Sequence, residues 1–200
     1  MGEFGSLFGG LTGKSKADFT GGNARFASYR NVFSNISLDT EVGDSVWIRE
    51  GERQRALAYG DVVFTGSSES RDEVGMSSVV TSHLAEPMYL NSFCIGFRQV
   101  GPQLLNPDFA KHLFRSSVMR KQIIKTANGV TRFNISKQQL EKVQVPIVEL
   151  EEQLRIAGIL DEFEELVNDL RFGLPAELAA RRKQYEYYRD KLLTFQEVTV

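Results

Sequence analysis

The chain has 200 residues, 24 Lys+Arg against 26 Asp+Glu for a net charge of −2, with 42% hydrophobic and 10% aromatic residues. That length is about one domain with an appendage, and the near-neutral balance does not by itself announce a nucleic-acid partner. A lone Cys94 excludes an internal disulfide and fits a reducing cytoplasm, His83 and His112 alone leave too few ligands for a protein-only zinc site, and no apolar run reaches the roughly 20 residues that span a bilayer.

Residues 1–150 carry 17 basic and 15 acidic residues, whereas 151–200 carry 7 and 11. Texture shifts at the same place, from Gly- and Ser-punctuated apolar stretches to a Glu-, Leu-, Ala- and Arg-rich tail. The expected fold class is α+β, with a globular domain of short strands and helices at 1–148 and a long, coiled-coil-like helical region at 149–200. In chain order, Val46–Ile48, Asp61–Thr65, Ser78–Thr81 and Met88–Phe97 read as strands. Asn106 and Pro107 open a helix that Gly129 closes, with Phe109, Leu113 and Ile124 on its buried face. Ser136 with Gln139 opens a short helix, and Val143–Ile147 reads as a strand or an extended linker.

Apolar residues then recur at Ile156, Leu160, Phe163, Val167, Leu170 and Leu174, a heptad seam. After Pro175 the seam resumes at Leu178, Arg181, Tyr185, Tyr188, Leu192 and Phe195, slipped by one residue. Two helices joined by a bend are expected. Either they fold back on their own domain or they pair with a helix of another chain.

Chemistry-bearing motifs are few. Gly9–Ser15 is similar to a phosphate-cradling P-loop but is one residue too short, since position 8 is Phe8, and no apolar strand run precedes it. A small nucleotidase is therefore a weak rival reading, and a loop that carries Lys14 and Lys16 toward a polyanion is a better one. The polar loop with Ser67, Ser68, Glu69 and Arg71 follows a strand, a common place for binding residues. Residues 111–142 hold eight basic residues against Glu141 alone. Such an island attracts a phosphate backbone through counterion release, or is simply a solvated helix face. Candidate phosphate contacts are Lys14, Lys16, Arg120, Lys121, Lys125, Arg132 and Lys137. Candidates for base readout or loop positioning are Ser67, Ser68, Glu69, Arg71, Asn128 and Thr131.

The stretch Gly129–Ser136, followed by Leu140–Val143, Val145–Ile147, Leu150–Gln153, Ile156 and Leu160, resembles the specificity subunit of type I restriction–modification systems. Gly60–Phe64 is similar to the strand-opening Gly-Asp motif of that family. One departure is Val148-Glu149 where the family has two prolines. The resemblance implies a target recognition domain that binds half of a split double-stranded DNA target. It also implies helices that dock the modification methyltransferase, with a restriction motor subunit in the same assembly. No catalysis is implied in this chain, because S-adenosylmethionine, ATP and Mg belong to the partner subunits. A full subunit of the family has two recognition domains and two helical regions, and this chain has one of each. A cytoplasmic homodimer is thus expected, paired through Ile156, Leu160, Phe163, Val167, Leu170, Leu174, Leu178, Tyr185, Tyr188 and Leu192. The rival reading is a protein-binding module or decoy that docks the methyltransferase without specific DNA binding.

Overall fold

Strands form where β-branched and aromatic residues meet turn residues. The computed structural model describes residues 1–169 and 175–194. Its first half comprises β1 (Gly5–Gly9), β2 (Ala24–Ala27), α1 (Tyr29–Ser34), β3 (Ser45–Val46), β4 (Val62–Thr65), β5 (Ser67–Ser68), β6 (Ser77–Val79), β7 (Met88–Leu90) and β8 (Cys94–Gln99). There follow α2 (Pro107–Leu113), α3 (Ser117–Lys125), β9 (Ala127–Asn128), β10 (Phe133–Ile135), α4 (Lys137–Leu140), α5 (Leu150–Asp169) and α6 (Pro175–Leu192). The architecture is mixed α+β, as the sequence pattern implies.

The main sheet runs β1-β8-β4-β6, antiparallel throughout. Its central strand β4 is buried at every position, because both faces of the sheet are covered. Side chains alternate across a strand. Val62 and Phe64 accordingly join Phe97, Phe109 and Phe114 in one core cluster, while Val63 joins Phe8, Ala27 and Leu90 in the other. A second sheet, β3-β2-β7, pairs β2 with β7 in parallel. Asp61 opens β4 by accepting the Ala58 amide at 2.9 Å and a bidentate clasp from Arg98 at 2.7 and 2.6 Å. That clasp gives the Gly60-Asp61 motif a structural reason.

Two expected elements divide. The single strand over Met88–Phe97 is two, β7 and β8, separated by a turn at residues 91–93. The single helix from Pro107 is also two. Asn106 caps α2 by accepting from the Asp108 and Phe109 amides, and Ser116 caps α3 by accepting from Met119. A face read as one helix through Phe109, Leu113 and Ile124 passes over that second cap. Ser136 caps α4 as its spacing implies.

The helices fold back on the globular part. Ile156, Ala157 and Leu160 of α5 are buried in the core cluster that holds α2 and α3. Ile156 and Leu160 are therefore removed from the expected dimer interface, since they are only 1% and 0% exposed within this chain. The first positions of the expected heptad seam meet the core that holds α2. Gln153 locks the start of α5. Its amide donates to the Leu104 and Val148 carbonyls at 2.8 and 2.7 Å, and its carbonyl accepts from the Asn106 amide at 2.8 Å. Phe163 and Tyr188 stack with ring centres 5.5 Å apart, Tyr185 and Leu192 pack against the core, and Val167 is half-buried. Leu170 and Leu174 lie outside the described residues, as does the side chain of Leu178.

A polar joint ties α2, α5 and α6 together. His112 is fully buried, with Nε2 2.5 Å from Asp161 Oδ1 and Nδ1 3.0 Å from the Tyr185 hydroxyl. Both ring nitrogens of the buried imidazole thus have a polar partner. Burial opposes ionisation of Asp161, but hydrogen bonds from His112 and Lys111 outweigh it and hold the carboxyl below its ordinary range. Burial pushes the Tyr185 hydroxyl and the Glu164 carboxyl upward. His112, Asp161 and Glu164 bring possible ligand atoms within 4.8 Å of one another, and the Lys111 ammonium already pairs with Asp161 at 2.9 Å.

Candidate nucleic-acid interface

A third sheet, β5-β10-β9, draws together two loops distant in sequence. Phe133 lies opposite Ser68, and Asn134 lies opposite both Ser67 and Asn128. The reversal between β9 and β10 needs Gly129. Its φ is +127°, and a Cβ there would stand 2.0 Å from the Arg132 carbonyl oxygen. Arg132 Nη2 donates to Ser67 Oγ at 3.1 Å, and the Tyr29 hydroxyl donates to the Ser67 carbonyl at 2.7 Å. The Arg71 guanidinium stands 6.0 Å from the Phe133 ring centre. Ser67, Ser68, Glu69 and Arg132 thereby line one open cleft of about 610 Å³ with Tyr29, Ser70, Glu73 and Phe93. Asn128 and Thr131 are exposed on the neighbouring hairpin. Guanidinium, hydroxyl and carboxylate groups side by side supply the donors and acceptors that base edges require. A small-molecule pocket is lined instead by mostly apolar side chains.

The basic island has two fates. Arg115 donates to the Ser77, Phe33, Val32 and Asn35 carbonyls at 2.5, 2.9, 3.2 and 3.2 Å. Burial, with Arg120 and Arg189 nearby, pushes its pKa down to about 10. Arg120 donates to the Gly75, Val74 and Asp72 carbonyls at 2.5, 2.7 and 2.9 Å, and burial brings it to about 10 as well. Arg120 is thus withdrawn as a phosphate contact, because its donors fasten the 72–75 loop from within. Lys121, Lys125, Arg132 and Lys137 are exposed, as expected of groups that meet a polyanion.

Lys14 is a second correction. Its side chain is 3% exposed, its ammonium lies 2.6 Å from Glu52, and it also donates to the Trp47 carbonyl. The hydrogen bond from Lys14, helped by the Arg49 amide and Gln54, holds Glu52 at about 2. Lys14 therefore braces a loop and does not reach outward. Lys16 is exposed on the short 3-10 turn Lys16–Phe19 and lines a second cleft with Phe19, Phe26 and Phe93. Sequence reasoning missed Phe93, which is 62% exposed, and the exposed Arg49 and Arg53 that flank Gly51. Glu50 and Glu52 cancel those arginines in a charge count, but only Glu50 is as exposed as they are. Cys94 is buried, and burial pushes its thiol up to about 12, far from a nucleophilic thiolate.

Residues 76–180 match the family profile described as the type I restriction modification DNA specificity domain. Over 81 residues the chain is 41% identical to the EcoR124I/EcoR124II specificity subunit of Escherichia coli, covering 40% of this chain and 20% of that one. Over 69 residues it is 45% identical to a putative type I specificity subunit of Haemophilus influenzae, covering 34% of this chain and 18% of that one. In fold it is similar to the HsdS subunit of Thermoanaerobacter tengcongensis, with a TM-score of 0.57 and 19% identity over 96% of this chain and 43% of that one. The S subunit of M. genitalium aligns with a TM-score of 0.52 and 14% identity over 84% of this chain and 39% of that one. This chain thus spans less than half the length of either solved subunit. No helix among the described residues is long and apolar enough to cross a membrane.

Proposed function

The chain belongs to the family of type I restriction–modification DNA specificity domains, and from that premise we propose that it is the non-catalytic, sequence-reading part of such a system. In this reading residues 1–148 bind one half of a bipartite duplex target. Residues 149–200 pair with a second copy and dock the modification methyltransferase, which directs methylation, and with the restriction motor subunit cleavage, to that target. The observation that carries the DNA reading is the third sheet. It assembles Ser68, Glu69 and Arg132 in one cleft from loops more than 60 positions apart, with the exposed Lys125 and Lys137 flanking the hairpin in sequence.

The exposed faces of the helices support the assembly part. With Ile156 and Leu160 covered, the large apolar residues exposed on the two helices, among the described residues, are Leu150 and Leu154 near the start of α5, Leu166 farther along it, and Tyr187 and Tyr188 on α6. We assign Leu166, Tyr187 and Tyr188, with the half-buried Phe163 beside them, to the second copy. Leu150 and Leu154 are assigned to the methyltransferase. Identical copies related by a two-fold axis read the same half-site twice, in inverted orientation.

The deciding experiment co-expresses the chain with its methyltransferase and maps the methylated sites in the host DNA. The expected pattern is an inverted repeat separated by a fixed spacer. Non-repeated half-sites would overturn the homodimer. Methylation without sequence preference would favour a docking module with no DNA reading of its own.

A further inference from the structure

Phe93 stands out among the exposed apolar residues by its mount. Residues 91–94 form a tight turn closed by the Cys94 amide donating to the Asn91 carbonyl at 3.0 Å, and the Asn91 side chain accepts from the Phe93 amide at 2.9 Å. The turn is tied to the strands on either side. Its Asn91 amide donates to Ala27 at 3.0 Å, and its Phe93 carbonyl accepts from Gly66 at 2.7 Å. A Cβ at Gly66 would stand 2.5 Å from that carbonyl, so the approach is as close as a glycine allows. Scattered exposed apolar side chains are ordinary and need no partner. This one sits on a fixed platform, and its ring forms a wall of both the cleft that holds Arg132 and the cleft that holds Lys16.

We propose that Phe93 is a specificity-determining residue that makes apolar contact with the C5-methyl group of a thymine in the major groove of the half-site. The proposal rests on the DNA reading given above and deepens it. Cations on either side place a phosphate backbone across both clefts, and the ring between them then meets the base edges. Among the exposed groups of each base pair in the major groove, the thymine methyl is the apolar one. Hydrogen-bonding neighbours such as Ser68 and Arg132 read the polar edges beside it.

The test uses the full chain in complex with its methyltransferase, selecting bound sequences from a randomised duplex pool. A failure of the wild-type complex to enrich any sequence would overturn the DNA reading itself. Given enrichment, each selected thymine is replaced by uracil, which removes only the methyl. Burial of one methyl is worth about 0.8 kcal/mol, so one such position should weaken wild-type binding about fourfold. Phe93→Ala should abolish the difference between thymine and uracil there, and Phe93→Leu should keep most of it. A half-site without thymine, wild-type indifference to every uracil, or an unchanged preference in Phe93→Ala would each overturn the proposal.

Discussion

The two halves of the basic island carry the same kind of residue to opposite ends. In the helical half, Arg115 and Arg120 turn inward and bind seven backbone carbonyls between them. In the hairpin half, Arg132 stays exposed on the wall of a polar cleft, and Lys137 is exposed at the start of α4. A positive tally over a window of sequence thus mixes charges that hold loops in place with charges free to meet a ligand. What separates them is whether the segment packs against irregular backbone that needs donors. Residues 32–35, at the end of α1, and 72–77, leading into β6, present carbonyls that the two arginines bind.

The contrast breaks first at Arg115. Arg115→Ala leaves four carbonyls short of a donor and should cost about 3 kcal/mol, read as a lower urea midpoint. A midpoint within error of the wild type would remove the inward role. Arg120→Ala should cost about 2 kcal/mol by the same logic, while the salt dependence of duplex binding by the folded variant stays as in the wild type. A shallower salt slope for that variant would return Arg120 to the interface.

The smallest effect concerns the Lys14–Glu52 brace. The folded pKa of Glu52, about 2, lies below its ordinary 4.5. A depressed carboxyl stabilises the fold fully above the ordinary value and loses that contribution as pH falls toward 2. Glu52→Gln should therefore narrow the stability difference from the wild type as pH drops from 4.5 to 2. Parallel stability curves over that window would show that Lys14 and Glu52 act independently.

Much of the architecture was legible because it depends on local signals. The Asn106-Pro107 and Ser136 caps, the β4 and β6 strands and the α5 seam all announce themselves in short windows. The turn at residues 91–93 was not legible. Its neighbours make an unbroken β-like run, and the turn depends on contacts with Ala27 and Gly66 from elsewhere in the chain. The site was half legible for the same reason. Residue type and loop position singled out Ser68, Glu69 and Arg132. Their meeting is a product of β5–β10 pairing, and two-residue strands leave almost no periodicity to detect. Lys14 misled because its partner Glu52 is 38 positions away. The heptad seam predicted helix packing correctly but carried no information on which helix would cover Ile156 and Leu160.

The central claim is that Arg132 and Lys137, and not the inward-turned Arg115 and Arg120, face DNA. The most direct test measures duplex affinity against salt concentration for the wild-type complex and for Arg132→Ala/Lys137→Ala. Each lost phosphate contact reduces the log–log slope by about 0.9. The account predicts a slope shallower by roughly two with weaker binding at every salt concentration. An unchanged slope and unchanged affinity in a folded double variant would contradict it.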